Sequence, residues 1–83
     1  MFKPWQQARY RPLVQLAWRA WCSENFIDPQ DEVERDRWYR GNLLRCIGVP
    51  TTRGCSPGRD YYIVMRHFTH LADVQKVSAL KSR

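Results

Sequence analysis

Arginine side chains flank the start of the third helix that the sequence predicts, and they could bind an anion there. Ser56-Pro57 is typical of a helix start, because serine caps free backbone N–H groups and proline fits the first turn. Arg53 and Arg59 lie on either side, near the positive end of the helix dipole. Since free N–H groups with nearby positive charge bind phosphate, the pattern predicts an anion-binding corner.

The exposed face of the same helix carries further groups suited to nucleic acid. Arg66, with Arg40 from the preceding helix, could bind phosphates, while Tyr62 and His70 could face a groove of double-stranded DNA. The loop between the helices is longer than the 3–4-residue turn of a helix-turn-helix, so any such motif would be a variant. A solvated helix face is the alternative interpretation. The predicted nucleic-acid-binding residues are Arg40, Arg53, Ser56, Arg59, Tyr62, Arg66 and His70.

The remaining reactive residues match no catalytic or metal-binding pattern. His67 and His70 could share one metal ion, but the C-x₂₋₄-C pair of small zinc domains is absent. The acids of segment 31–36 lack the spacing of a calcium loop. Cys55, next to a helix start, is the one thiol expected to have a lowered pKa. We therefore expect no enzyme, no metal and no cofactor.

Charge is distributed unevenly along the 83 residues, whose net charge is +6. Segment 24–36 holds six acids and one base, whereas the other 70 residues hold 13 bases and two acids. A basic surface favours nucleic acid as a partner. The three cysteines are odd in number and widely spaced, which indicates reduced thiols. With neither a membrane span nor a signal peptide in the sequence, we expect a cytoplasmic protein without a membrane partner.

Hydrophobic periodicity predicts an all-α fold, a small bundle of three main helices. We expect a single domain, 1–83, divided into an arm (1–11), a helical core (12–75) and a tail (76–83). The helices are expected at about 12–25, from 28–31 to about 47, and from 57 to about 72. Asp28 is expected to cap the second helix, and Gly48, followed by Pro50, to end it in the left-handed conformation. Val74, Val77 and Leu80 could either extend the third helix or form a short fourth one, and the oligomeric state is left open.

The predicted helices each have an expected buried stripe, and Gly41 suggests close approach of another helix, with a kink as the alternative. The arm could insert its aromatic side chains against nucleic acid or fold back onto the core. The expected core residues are Leu13, Leu16, Ala17, Ala20 and Trp21, with Val14 and Trp18 widening that stripe; Val33, Tyr39, Leu43, Leu44, Cys46 and Ile47; and Tyr61, Val64, Met65, Phe68, Leu71 and Ala72.

Parts of the chain resemble the GemA-like regulatory proteins of Mu-like phages. That family has an apolar helix of the type L-x-x-I-H-I-A, an acidic turn, the pattern Y-R-x-x-L-x-x-x-x-G and a serine before the next helix. The matching positions are Leu13–Trp21, then Asp36–Gly48 with Tyr39-Arg40 and Leu43, then Ser56 onward. The resemblance implies a phage or prophage origin. It also implies a regulatory, non-enzymatic role that acts on DNA or on a host DNA-handling protein, and it carries over no catalytic residue.

Two functions are thus expected, and self-association through an exposed aromatic patch is a third interpretation. The first is a regulatory protein that binds nucleic acid through the arginine-rich helix face. The second is a phage-type inhibitor or adaptor of a host protein, for example in a DNA-handling or defence complex. It would use the four tryptophans as anchors and the acidic segment 24–36 as a mimic of nucleic-acid charge.

Overall fold

Three helices form the protein in a computed structural model, which describes the backbone of residues 1–81 and the side chains of residues 1–73. They are α1 (Pro4–Asn25), α2 (Glu32–Ile47) and α3 (Arg59–Lys81). Helix α3 packs against both others and makes most of its contacts with α1. The described backbone contains no strand, so the expected all-α bundle of three helices is confirmed.

The core forms along one side of α3, as its periodicity predicts. Tyr61, Val64, Phe68 and Ala72 recur every three or four residues and are all buried. Helix α2 contributes Leu43, which is fully buried. The stripe that lies on the other side of α3 is therefore left to the solvent.

The start of α1 differs from the sequence prediction, because the segment expected to be an arm is helical from Pro4. Proline fits the first helical position, and the N–H group of Lys3 donates to Oε1 of Gln6 at 2.9 Å, which closes the first turn. Pro12, expected to open the helix, lies inside it. Both Pro4 and Pro12 fit the preference for proline at the first helical position, and Pro4 is the one that begins the helix.

Phe2 is the residue that attaches this extended α1 to the core. Its ring makes edge-on contacts with Tyr10 and Tyr61, with ring centres 5.7 and 5.6 Å apart. Next to it, Nε2 of Gln6 donates to the carbonyl of Pro57 at 2.6 Å. Of the two expectations for the arm aromatics, folding back onto the core therefore describes Phe2.

The turn between α1 and α2 is held by one tryptophan and one aspartate. Nε1 of Trp18 donates to the carbonyl of Pro29 at 2.9 Å, and the indole is fully buried. Asp31 caps α2, since its carboxylate accepts from the backbone N–H of Glu34 at 3.1 Å. Asp28, expected in the cap, instead accepts within the preceding turn.

Several expected core positions are exposed. Val33 and Leu44 are 69% and 51% exposed, and Leu16 is 60% exposed. Only Leu43 among the expected α2 residues is fully buried, because α2 turns Asn42 rather than Leu44 toward α3. Because apolar residues occur on more than one side of α2, the sequence does not determine which side of this helix faces α3.

The two glycines of α2 have opposite roles. Gly48 ends the helix in the left-handed conformation (φ 76°), as predicted. Gly41 was expected to allow close approach of a helix, but a Cβ atom placed there would meet nothing within 4 Å. That expectation is wrong, and Gly41 opens onto a surface groove.

Helix α3 begins at Arg59, two residues after Pro57, and continues without interruption to Lys81. It therefore includes residues 76–81 of the expected tail, and no separate fourth helix occurs within residues 1–81. Val74, Val77 and Leu80 lie outside the residues whose side chains the structure describes, and residues 82–83 lie outside the described backbone.

Candidate nucleic-acid interface

Four of the predicted site residues lie together on the exposed side of α3. Arg59, Tyr62, Arg66 and His70 are separated by three or four residues, so they form one stripe along the helix. All four are exposed. Among the described side chains, no carboxylate lies within 4.0 Å of either guanidinium group. This stripe can offer positive charge and an aromatic side chain to a partner.

The backbone at the start of α3 is already partly used by the chain itself. The N–H of Ser56 donates to Oδ2 of Asp60 at 2.9 Å, and the N–H of Gly58 donates to Oγ of Ser56 at 3.2 Å. A carboxylate thus occupies part of the corner where an anion was expected. Ser56 acts as a capping residue, and anion binding here would depend on the arginine side chains.

The other two predicted arginines border cavities that the α3 stripe does not line. Arg40 forms an exposed ion pair with Asp36, with Nε and Oδ2 3.0 Å apart. Arg53 lines a neighbouring cavity together with Arg11. Both cavities share a wall that includes Thr51. The seven predicted residues thus divide into the α3 stripe with its cap and a second group around this wall.

Sequence reasoning missed a polar contact between α2 and α3. Asn42 is buried, and its Nδ2 donates to the carbonyl of Trp38 at 2.8 Å. Its Oδ1 therefore accepts from Nε2 of His67 at 2.9 Å. Burial lowers the pKa of His67, and the nearby charges of His70 and Arg45 lower it further. The sequence signal that could have indicated this contact was Asn42 next to Leu43 and Leu44 on an amphipathic helix.

Further observations concern the metal and thiol hypotheses. Within the described residues, no three histidine, cysteine or acidic side chains are close enough to hold a metal ion. Burial raises the pKa of the Cys55 thiol, with a further increase from Asp60, whereas the amino group of the chain lowers it. The expectation of a lowered pKa is wrong, because Cys55 is buried under the start of α3 rather than exposed beside it. Burial also raises the pKa values of the other two cysteines.

In its described part, the chain has no helix that combines the length and apolar character needed to cross a membrane. Comparisons with protein-family models, curated proteins and solved structures find no match to this chain. The resemblance to the GemA-like proteins therefore stays a prediction. What the fold and the site define is a small α-helical bundle that carries an exposed, arginine-containing helix face.

Proposed function

We propose that this protein is a small, non-enzymatic regulatory module that binds double-stranded DNA through the exposed stripe of α3. The observation that carries the proposal is the alignment of Arg59, Tyr62, Arg66 and His70 on one exposed helix face. Arginine makes strong paired hydrogen bonds to phosphate, and an exposed α-helix fits the major groove of DNA. Asp73 limits the stripe at its far end, because a carboxylate there repels phosphate.

Within this stripe the residues have different roles. Arg59 and Arg66 lie seven residues apart, which separates their Cα atoms by about 10 Å along the helix axis. They bind phosphates and thereby orient the helix. Tyr62 and His70 lie beside them and face the base edges. The start of α3 contributes little to phosphate binding, since Asp60 occupies part of it.

The experiment is a salt titration of binding to duplex DNA with wild-type protein and the double variant Arg59→Gln, Arg66→Gln. Each lost phosphate contact lowers the slope of log K against log salt by about 0.9. We therefore expect the slope to fall by about 1.8 in the double variant. The single variant Arg35→Gln, on the exposed side of α2, is the control and removes a charge without touching the stripe.

Three results would overturn the proposal. The first is the absence of binding at about 50 mM salt, where phosphate contacts are strong. The second is an affinity that does not change with salt. The third is a loss of slope per removed charge in Arg35→Gln that equals the loss in the double variant. Binding would then depend on net charge alone, which contradicts a site on α3.

The resemblance to the GemA-like proteins supports a phage-type regulatory role for this binding. The matched positions Tyr39-Arg40 and Leu43 lie on α2, where Leu43 is a core residue. They support a shared helical framework for the proposal, and the α3 stripe supplies the contact with DNA.

A second candidate function, binding to a host protein, is favoured by a groove between the helices. Its volume is about 280 Å³, and its apolar wall contains Trp21, Ile27, Trp38 and Leu71. Gly41 lines the groove, and a Cβ atom placed there would contact nothing within 4 Å. Glycine inside a helix costs about 1 kcal/mol relative to alanine, so its presence at an open position is unusual. The glycine leaves room for a partner side chain.

Charge indicates which partner would fit the groove. Arg37 and Arg45 lie one turn on each side of Gly41, and Glu34 pairs with Arg37 at 3.3 Å. A symmetric pairing of two copies across Gly41 would place Arg37 opposite the partner's Arg45, which is repulsive. We therefore propose an amphipathic helix of a host protein, with a small apolar face and an acidic residue for Arg45.

This second proposal is tested with two synthetic helical peptides of one apolar pattern, one carrying glutamates and one carrying lysines at the same positions. We expect tryptophan fluorescence to change with the acidic peptide alone, because Trp21 and Trp38 line the groove. Gly41→Leu should abolish the change, whereas Leu44→Ala, outside the groove, should not. Equal responses to both peptides, or none to either, would contradict it.

A further inference from the structure

A second cavity lies where the start of α1, the middle of α2 and the loop 51–53 meet. Its volume is about 410 Å³, within the range of about 300–1,000 Å³ that is usual for small-molecule sites. Tyr39 of α2 forms one wall, and Thr51 and Thr52 form another. The α3 stripe proposed to bind DNA does not line this cavity.

The cavity is cationic. Arg11 and Arg53 line it, and no aspartate or glutamate does. Arg11 reaches only a long hydrogen bond to Oε1 of Gln7, at 3.4 Å, among the contacts of the described side chains. The two guanidinium groups repel each other across the empty cavity, and an anion bound between them would offset this repulsion.

The loop that carries Arg53 is held in place by its own hydrogen bonds. The backbone N–H of Arg53 donates to Oγ1 of Thr51 at 3.1 Å, and the N–H of Cys55 donates to the carbonyl of Thr52 at 3.1 Å. The amino group of Met1 donates to the carbonyl of Cys55 at 2.8 Å. The arginine is therefore presented from an ordered turn, which reduces the entropy lost when a ligand binds.

The remaining wall is aromatic and neutral. Phe2, Tyr10 and Tyr39 line the cavity, and the hydroxyl groups of the two tyrosines lie 2.9 Å apart. Burial and this hydrogen bond raise the pKa of Tyr10, so its phenol stays neutral and does not repel an anion. Phe2 and Tyr10 are buried, so the half-buried ring of Tyr39 is the one that can contact a nucleobase.

We propose that this cavity binds a nucleotide through its terminal phosphate monoester. Arg11 and Arg53 hold the phosphate, Thr51 and Thr52 supply hydroxyl groups, and the half-buried ring of Tyr39 receives the base. The neighbouring cavity beyond Tyr39 contains the Asp36 carboxylate, which keeps the phosphate on the side of the two arginines. The same chemistry is offered by a free nucleotide and by the 5′ phosphate of a strand.

The test is an NMR titration of ¹⁵N-labelled protein with adenosine 5′-monophosphate, adenosine and inorganic phosphate. We expect the amides of Thr51, Thr52 and Arg53 to shift most with the nucleotide and to saturate. Adenosine and phosphate alone should each bind at least about tenfold more weakly, because each lacks one half of the contacts. A 5′-phosphorylated dinucleotide is titrated in the same way. If it binds more tightly than the mononucleotide, the natural ligand is the 5′ phosphate of a strand; if the mononucleotide binds more tightly, the ligand is a free nucleotide.

Variants separate this site from the proposed DNA-binding face. Arg53→Gln and Arg11→Gln should each weaken nucleotide binding about tenfold or more, with unchanged amide spectra elsewhere. Arg59→Gln, Arg66→Gln should leave it unchanged, whatever that variant does to DNA binding. Equal binding of adenosine or phosphate, equal loss in the α3 variant, or no shift of the loop amides at millimolar nucleotide would overturn the proposal.

Discussion

Cys55 shows how strongly burial decides the chemistry of a single side chain. Its position before α3 would favour a thiolate if it were exposed, but it is buried, and its Sγ contacts the carbonyl of Thr51 at 3.5 Å. Because burial raises its pKa, the thiolate fraction at a given pH is smaller than that of an ordinary cysteine.

We therefore predict that Cys55 reacts with iodoacetamide more slowly at pH 8 in the folded protein than in protein unfolded by urea. Peptide mass spectrometry after timed alkylation measures this residue separately from Cys22 and Cys46. A folded-state rate at Cys55 above that of the unfolded chain would restore the hypothesis of an activated thiol.

Gly41 lowers the stability of α2 relative to alanine and leaves the surface groove open. A methyl group there meets nothing within 4 Å, so Gly41→Ala should raise the free energy of unfolding by about 0.5–1 kcal/mol. Urea unfolding followed by circular dichroism measures the change. Gly48→Ala is the matched comparison and should destabilise by about 1 kcal/mol or more, because φ there is 76°. Destabilisation by Gly41→Ala would mean that the groove is closed in solution.

At the scale of the elements, the helix ends and the faces were not equally predictable. Gly48 and the stripe from Tyr61 to Ala72 depend on local rules, a left-handed stop and a clear period, and both predictions are confirmed. The start of α1 depends on contacts distant in sequence, since Phe2 packs against Tyr61. Local sequence rules do not include this contact, so they could not determine whether Pro4 or Pro12 begins the helix.

The rotation of α2 and the candidate sites were harder still. Val33 and Leu44 look like core residues, but the contact between Asn42 and His67 turns α2 differently. The exposed stripe on α3 followed from helical spacing. The cavity between Arg11 and Arg53 did not, because it joins residues from three segments that only the tertiary fold brings together.

The first turns of α1 depend on Phe2, and a substitution there tests that element. Phe2 is 5% exposed and contacts two tyrosine rings, so Phe2→Ala should lower the free energy of unfolding by about 3 kcal/mol. Hydrogen exchange should also become faster in the backbone of residues 4–12. Trp5→Ala, at a residue that is 51% exposed, is the control and should cost less. Equal effects of the two substitutions would contradict the packing of Phe2.

At the scale of the whole molecule, charge and shape separate the proposed binding surfaces. The molecule measures 40 × 25 × 21 Å, and α3, about 34 Å long at 1.5 Å per residue, accounts for most of the longest dimension. The acidic segment 24–36 comprises the last two residues of α1, the turn before α2 and the first turns of α2, and it includes the exposed cap Asp31. For the proposed binding of DNA, we expect this acidic segment to repel the nucleic acid and the arginines of the α3 stripe to attract it.

The stability of the assembled bundle should depend on pH through His67, which links α2 to α3. Its folded-state pKa is lowered by burial and by the charges of His70 and Arg45, so the unfolded chain takes up a proton more readily. The contribution is fully present above the unfolded pKa of about 6.5 and is lost as the pH falls from there through the folded-state pKa. Urea unfolding at pH 7.5 and 5.5 should show lower stability at the acidic pH. In His67→Gln that difference should shrink most, whereas His70→Gln should shrink it less, because it removes one charge near His67 and leaves burial, the largest cause, in place. An unchanged pH dependence in His67→Gln would assign the effect to other groups.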